Sequence, residues 1–159
     1  MQWIRILGGA AALLTCCAAL AQQPLYGPPI SADDAKKVAA AALAEAKKSN
    51  FNMAVAVVDS TAHLVYFERM DTVQLGSIAI AQDKAMAAVN NRRSTKSVYD
   101  EFEKGGAGLR YLNLRGFVTS EGGELLMRDG KVIGAIGMSG GSGAQDGQAA
   151  RAGVAALGK

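Results

Sequence analysis

Val55-Ala56-Val57-Val58-Asp59-Ser60-Thr61-Ala62-His63-Leu64-Val65-Tyr66-Phe67-Glu68-Arg69-Met70-Asp71 is the stretch whose reading decides the fold. Two apolar runs flank a short polar break, the pattern of a β-hairpin. The first run, residues 53–58, is apolar throughout and predicts a strand buried on both faces. The second alternates, which puts His63, Val65, Phe67 and Arg69 on one face and Leu64, Tyr66, Glu68 and Met70 on the other. The hairpin holds the single histidine of the chain. It ends in an Arg69-Met70-Asp71 corner carrying both signs of charge, so it is the natural centre of a site.

Upstream, Ser31 reads as a helix N-cap, with Asp33 and Asp34 in the first turn where carboxylates suit the helix dipole. Ala35, Val38, Ala39, Ala42, Leu43 and Ala46 form an apolar stripe at helical spacing. Lys47 and Lys48 suit its C-terminal end, and Asn50 can stop it in a left-handed conformation. Downstream, Ser77 is expected to cap a helix running to about Asn90. Ile78, Ala81, Ala85 and Val89 form its stripe, and Gln82, Asp83 and Lys84 face elsewhere. A third, shorter helix starts at Ser94 or Thr95, carries Val98 and Phe102, and ends at Gly105-Gly106. Residues 105–113 read as a glycine-rich loop.

From Phe117 the period returns to that of strands. Residues 117–120 are a short strand, Gly122-Gly123 a turn, and 124–128 an edge strand. Asp129-Gly130 is a hairpin signal. Residues 131–139 are a buried strand in which Gly134 and Gly137 mark a close backbone approach. A last helix starts near Asp146 and buries Ala149, Gly153, Val154 and Leu157. The order α-ββ-α-α-βββ-α predicts an α+β domain built on a single five-stranded antiparallel sheet with packed helices.

With 159 residues the chain has room for one domain. Half of it is hydrophobic but only 6% is aromatic, so the core is expected to be Ala-rich and closely packed. A formal charge of +3, with Arg92-Arg93 as the main basic run, excludes a nucleic-acid surface. The first residues read as a targeting segment. Arg5 is followed by an apolar run over 6–14 that is short for a membrane span, and Ala19-Leu20-Ala21 is a small-x-small cleavage site. The expected organisation is a cleaved export signal over 1–21, a leader over 22–30 with Pro24, Pro28 and Pro29, and a domain over 31–159. The location is then periplasmic or secreted, with no stable membrane insertion after cleavage. Cys16 and Cys17 both lie within the signal, so the mature chain has no disulfide, thiolate metal site or thiol nucleophile.

Taken together, Ala56-Val57-Val58-Asp59, His63-Leu64-Val65, Arg69-Met70-Asp71, Lys84-Ala85, Gly122-Gly123, Asp129-Gly130-Lys131-Val132-Ile133-Gly134-Ala135-Ile136-Gly137-Met138-Ser139-Gly140 and Ala150-Arg151-Ala152-Gly153 resemble the GlcG/HbpS family. This family of haem-binding or haem-degrading domains is related to the PduO C-terminal domain. The resemblance covers roughly residues 31–158. It implies a profilin-like or PAS-like α/β sandwich, a homo-oligomer, and for exported members a role in haem or iron handling or redox sensing. It also implies that a threonine after the Lys-Ala helix, here Thr95, stands at the haem iron. The chain departs from the family pattern at Ala62, where glycine is usual, and at Glu124-Leu125, where proline is usual.

Against that background His63 is a candidate iron ligand through a neutral imidazole nitrogen. Thr95 is a candidate oxygen donor at an exposed helix N-terminus, and otherwise a helix cap. Arg92 and Arg93 suit haem propionates or a small carboxylate, because guanidinium forks bind carboxylates at two points. Arg69 belongs to the same candidate set and is otherwise the partner of Asp71 in an ion pair closing the hairpin. Lys84 either serves a pocket or lies on the surface as a snorkelling lysine. Met70, Met86, Met127 and Met138 are core filler, with a thioether ligand among them as a further option. No phosphate loop and no Ser-His-Asp set is present, so the alternatives to haem are a binder or enzyme for a small organic acid or carbonyl compound and an oligomeric interaction module.

Overall fold

Helix α1 (Ala32–Lys48) forms where its stripe and caps predict it. Ser31 accepts a hydrogen bond from the Asp34 amide, and Ala35, Val38, Ala39, Ala42, Leu43 and Ala46 are all buried. The computed structural model describes residues 23–158, and the expected signal over 1–21 lies outside them. Strands β1 (Ala54–Asp59), β2 (Leu64–Arg69), β3 (Gly123–Arg128) and β4 (Lys131–Ser139) make one antiparallel sheet in the order β2-β1-β4-β3. Helix α2 (Gly76–Asn91), helix α3 (Thr95–Glu103) and a 3-10 helix (Gly106–Leu112) lie between β2 and β3, and α4 (Gly143–Ala156) closes the chain.

The sheet separates two cores. Val55, Val57, Ile136 and Met138 face α1 and α4, whereas Ala54, Ala56, Val58 and Ala135 face Ala81, Ala85 and Ala88 of α2. Strand β1 is thus buried on both faces, as its unbroken apolar run requires. Small residues dominate under α2, which lets that helix sit close to the sheet.

The sheet has four strands, not five. Residues 117–120 form no strand. Phe117 instead packs on Tyr111 with ring centroids 5.1 Å apart, and the Arg93 guanidinium lies over both rings. That stack holds the segment away from β3 and ties it to the 3-10 helix, which replaces the expected loop over 105–113. Other boundaries shift for local reasons. Helix α2 starts at Gly76 with no side-chain cap, because Ser77 is buried and accepts a hydrogen bond from Ser139. Helix α4 starts at Gly143, where Ser142 and Gln145 form a capping box. Asp146 is then free to turn inward.

The simple alternation of β2 also fails. Val58 faces Leu64 and Val57 faces Tyr66, so β2 carries one extra residue there. A bulge sets consecutive residues on one side, and both Val65 and Tyr66 pack against the α1 core.

The leader over 22–30, where described, is a strap along β4. Strand β1 leaves β4 after the Asp59–Gly134 pair, and the vacated edge is taken by the leader. The Val132 amide donates to the Leu25 carbonyl, and the amides of Gly27 and Ile30 donate to the carbonyls of Val132 and Ile133.

Candidate functional site

The hairpin tip is built on one carboxylate. Asp59 Oδ1 accepts hydrogen bonds from the Thr61 amide at 2.8 Å, the Thr61 hydroxyl at 2.7 Å and the His63 amide at 3.1 Å. Partial burial works to raise the Asp59 carboxyl, but these bonds outweigh it and hold the group below its ordinary value. Thr61 Oγ1 also lies 2.8 Å from His63 Nδ1. Its own hydrogen is committed to Asp59, so the oxygen accepts from an Nδ1–H. A neutral His63 is thereby fixed in one tautomer, with the Nε2 lone pair on an exposed ring. This is how a ligating histidine is oriented by its surroundings.

Ala62 completes the turn at φ 66°, in the left-handed region. The departure from the usual glycine therefore carries strain, on the order of 1–2 kcal/mol for a side chain in that conformation. Glycine would relieve it at an entropic cost of roughly 0.5–1 kcal/mol. Ala62→Gly is expected to stabilise the protein by about 0.5–1 kcal/mol, measurable as a higher urea midpoint with an unchanged slope.

Beside the tip lies an open ledge. Leu64, Phe67 and Arg69 stand opposite Val58, Ala56 and Ala54, so all three share the α2 face of the sheet. Helix α2 covers β1, β4 and β3 and leaves β2 largely bare. Leu64 is consequently 51% exposed. Ala62 and Phe67 are half-buried against the same core, which gives the ledge an apolar floor. His63 stands at one end and the exposed Arg69 at the other. Among the described residues Arg69 forms no ion pair with Asp71, which corrects that expectation. Both side chains point to solvent from a strand end, where water solvates them separately.

The remaining candidates are engaged elsewhere. Thr95 is not on an exposed helix end: it is buried, Ser94 is the cap, and Thr95 Oγ1 accepts the Gly123 amide at 2.9 Å. Thr95→Val would orphan that amide and is expected to cost about 1–3 kcal/mol, read by thermal denaturation. Arg92 donates to the Pro24 carbonyl at 3.3 Å and lies over the Tyr26 ring, fastening the strap to α2. Arg93 is held in the Tyr111–Phe117 stack. Lys84 neither snorkels nor faces away. It is 1% exposed, and its ammonium donates to Asp146 Oδ2 at 2.7 Å and to the Met138 carbonyl at 3.2 Å. Burial pushes the Asp146 carboxyl above its ordinary value despite this partner. Asp146, Tyr26 and the aromatic stack were not singled out by the sequence. Asp146 at a helix start reads as a solvated first-turn acid, and nothing local tells that it faces Lys84.

The family model for "Haem degrading protein HbpS-like" matches residues 30–155. GlcG of Escherichia coli (strain K12) is 38% identical over 110 residues, spanning 69% of this chain and 81% of GlcG. The crystal structure of HbpS aligns with a TM-score of 0.75 and 30% identity, covering 84% of this chain and 93% of HbpS. The crystal structure of a PduOC–haem complex aligns with a TM-score of 0.73 and 33% identity, covering 80% of this chain and 94% of PduOC. The family match runs along nearly the whole described chain, and the chain belongs to the HbpS-like family.

Proposed function

We propose that this chain is an exported haem-binding protein that holds haem on the ledge beside α2, for haem or iron handling or redox sensing. The observation that carries the reading is His63, an exposed residue whose imidazole tautomer is set by Thr61 and Asp59 so that Nε2 keeps its lone pair. The fit to haem rests on the donor set of this chain. A neutral nitrogen suits the iron, Leu64 and Phe67 offer apolar surface to the macrocycle, and the Arg69 guanidinium suits a propionate. Bound iron would supply the redox chemistry, while these residues bind and orient. The haem complex of the PduOC relative supports the ligand class. Thr95 supports it less well, because its oxygen already accepts the Gly123 amide.

A haem titration of residues 22–159, followed by absorbance, tests the site. A saturable Soret shift is expected for the parent protein. His63→Ala should abolish it. Thr61→Val, which removes the group orienting the ring, should weaken binding about tenfold or more. Thr95→Ala should lower stability and leave the Soret shift in place. A folded Thr95→Ala without the shift, beside a His63→Ala that keeps it, would overturn the ledge assignment. Export is tested separately: the N-terminus of protein recovered from the periplasm or medium should be Gln22. Sedimentation of the same material tests the homo-oligomer.

A further inference from the structure

The 3-10 helix and the turn that follows it combine cationic and apolar side chains on one outward surface. Residues 104–118 contain Lys104, Arg110 and Arg115 and no acidic residue, so this short segment carries a formal charge of +3. It also displays three leucines to water: Leu109 is 48% exposed, Leu112 61% and Leu114 44%.

The display is built into the packing. Side chains three apart in a 3-10 helix eclipse one another. Gly108 and Tyr111 make the inward face. A Cβ on Gly108 would collide with the Glu101 carbonyl of α3, and Tyr111 is buried beside Phe117. Leu109 and Leu112, also three apart, therefore share one outward face, and Arg110 stands on the next. The Asn113 amide donates to the Arg110 carbonyl and ends the helix. A turn closed by the Phe117 amide on the Leu114 carbonyl then carries Leu114 and Arg115, both exposed. With Arg93 over the Tyr111 and Phe117 rings, the aromatic side chains anchor the segment and the leucines are held outward.

The charge is not neutralised from within. Arg110 and Arg115 form no ion pair among the described residues. The neighbouring acids of α3 are committed: Asp100 to Lys96, Glu101 to Lys104, and Glu103 to the Tyr99 hydroxyl. Asp83 of α2 borders the same cleft as Arg115 without pairing with it.

Unpaired guanidiniums seek anions, and protruding leucines seek hydrocarbon. An anionic bilayer supplies both at once, with phosphates at the level of the arginines and acyl chains about 5–10 Å deeper. A protein partner would need a groove shaped to this ridge, whereas lipid adapts to it. No helix among the described residues is long and apolar enough to cross a membrane, so the contact is peripheral. We propose that residues 104–118 dock the protein on an anionic phospholipid surface, independently of the haem ledge.

The test is co-sedimentation of residues 22–159, freed of the targeting segment, with vesicles of phosphatidylcholine alone or with about 30% phosphatidylglycerol. Binding to the anionic vesicles is expected, with little to phosphatidylcholine alone and a steep loss at high salt. Leu112→Gln/Leu114→Gln should weaken it about tenfold or more, and Arg115→Gln about fivefold, with thermal midpoints unchanged. Leu75→Gln removes a leucine that is 80% exposed outside the segment and should leave binding intact. His63→Ala should also leave it intact, which separates this outcome from failure of the haem reading. Absent binding, equal binding to both vesicles, or an equal loss in Leu75→Gln would overturn the proposal. So would a Leu112→Gln/Leu114→Gln protein that keeps its lipid binding but changes its oligomeric state, which would make the ridge a contact between copies of the chain.

Discussion

Lys84→Met is expected to destabilise the protein by about 3–5 kcal/mol, because it leaves the Asp146 carboxylate buried without its cation. Lys84 is 1% exposed and Asp146 2%, so water cannot take over the lost contact. The pair also ties three layers together. Lys84 comes from α2, Asp146 from α4, and the Met138 carbonyl that shares the ammonium comes from β4. Asp146 Oδ1 in turn accepts the Gly141 amide at 2.9 Å.

The double variant Lys84→Met/Asp146→Leu should recover most or all of the loss, since an apolar pair of similar volume escapes the desolvation cost of two ions. The pH dependence has a definite sign. Burial raises the folded-state Asp146 carboxyl above its ordinary value. The folded state therefore binds this proton more readily than the unfolded chain does. Stability falls as pH rises through the window between the two values and stays lower above it. Removing Lys84 removes the main group opposing that shift, so the deficit of Lys84→Met should shrink as pH drops through the carboxylate range. Asp34 and Asp59 shift in the opposite direction and lose stability in acid, which is why the difference from the parent is the quantity to follow. Urea denaturation of the parent and both variants at several pH values checks this. A Lys84→Met protein as stable as the parent would refute the account.

Gly137→Ala should be nearly as damaging. A Cβ at Gly137 would stand 2.0 Å from the Ala81 carbonyl oxygen and 2.6 Å from the Ala85 amide nitrogen, both main-chain atoms of α2. No rotamer change can relieve such a contact, so α2 must lift from the sheet. Gly137 also lies in the middle of β4, opposite Ala56 of β1 and Gly123 of β3, so β4 cannot bend away. The expected cost is about 3 kcal/mol, at the upper end of overpacking effects. For a domain of this length that is a fall in Tm of roughly 10 °C. The matched control is Gly76→Ala, at the exposed start of α2, where a Cβ would meet nothing within 4 Å. That change should be neutral or stabilising by less than about 1 kcal/mol. Differential scanning calorimetry of the two variants distinguishes steric contact with α2 from a general intolerance to change at glycine.

The elements legible in the sequence were those with a strong local signature. The α1 stripe with its Ser31 cap, the unbroken β1 run, and the Asp129-Gly130 turn before β4 carry their own periodicity and turn chemistry. The family resemblance was legible for the same reason, since it resides in short motifs read in order. The bulge in β2 was hidden because period-2 alternation assumes one residue per partner, and only pairing with β1 reveals the extra one. The strand expected over 117–120 failed because Phe117 packs on Tyr111 of the preceding 3-10 helix and meets Arg93, which is distant in sequence and close in space.

The candidate site divides along the same line. At the hairpin tip the sequence singled out His63 alone, and the structure added the Asp59 carboxylate and the Thr61 hydroxyl that hold it. Only the tertiary structure decided what each candidate was free to do. Thr95 is occupied by the Gly123 amide, Arg92 by the strap, Arg93 by the aromatic stack and Lys84 by Asp146, whereas His63 and Arg69 remain open. The physical reason is burial. A side chain's propensity and pattern are written locally, but whether its polar atoms face water or a fixed partner depends on which distant backbone is packed against it.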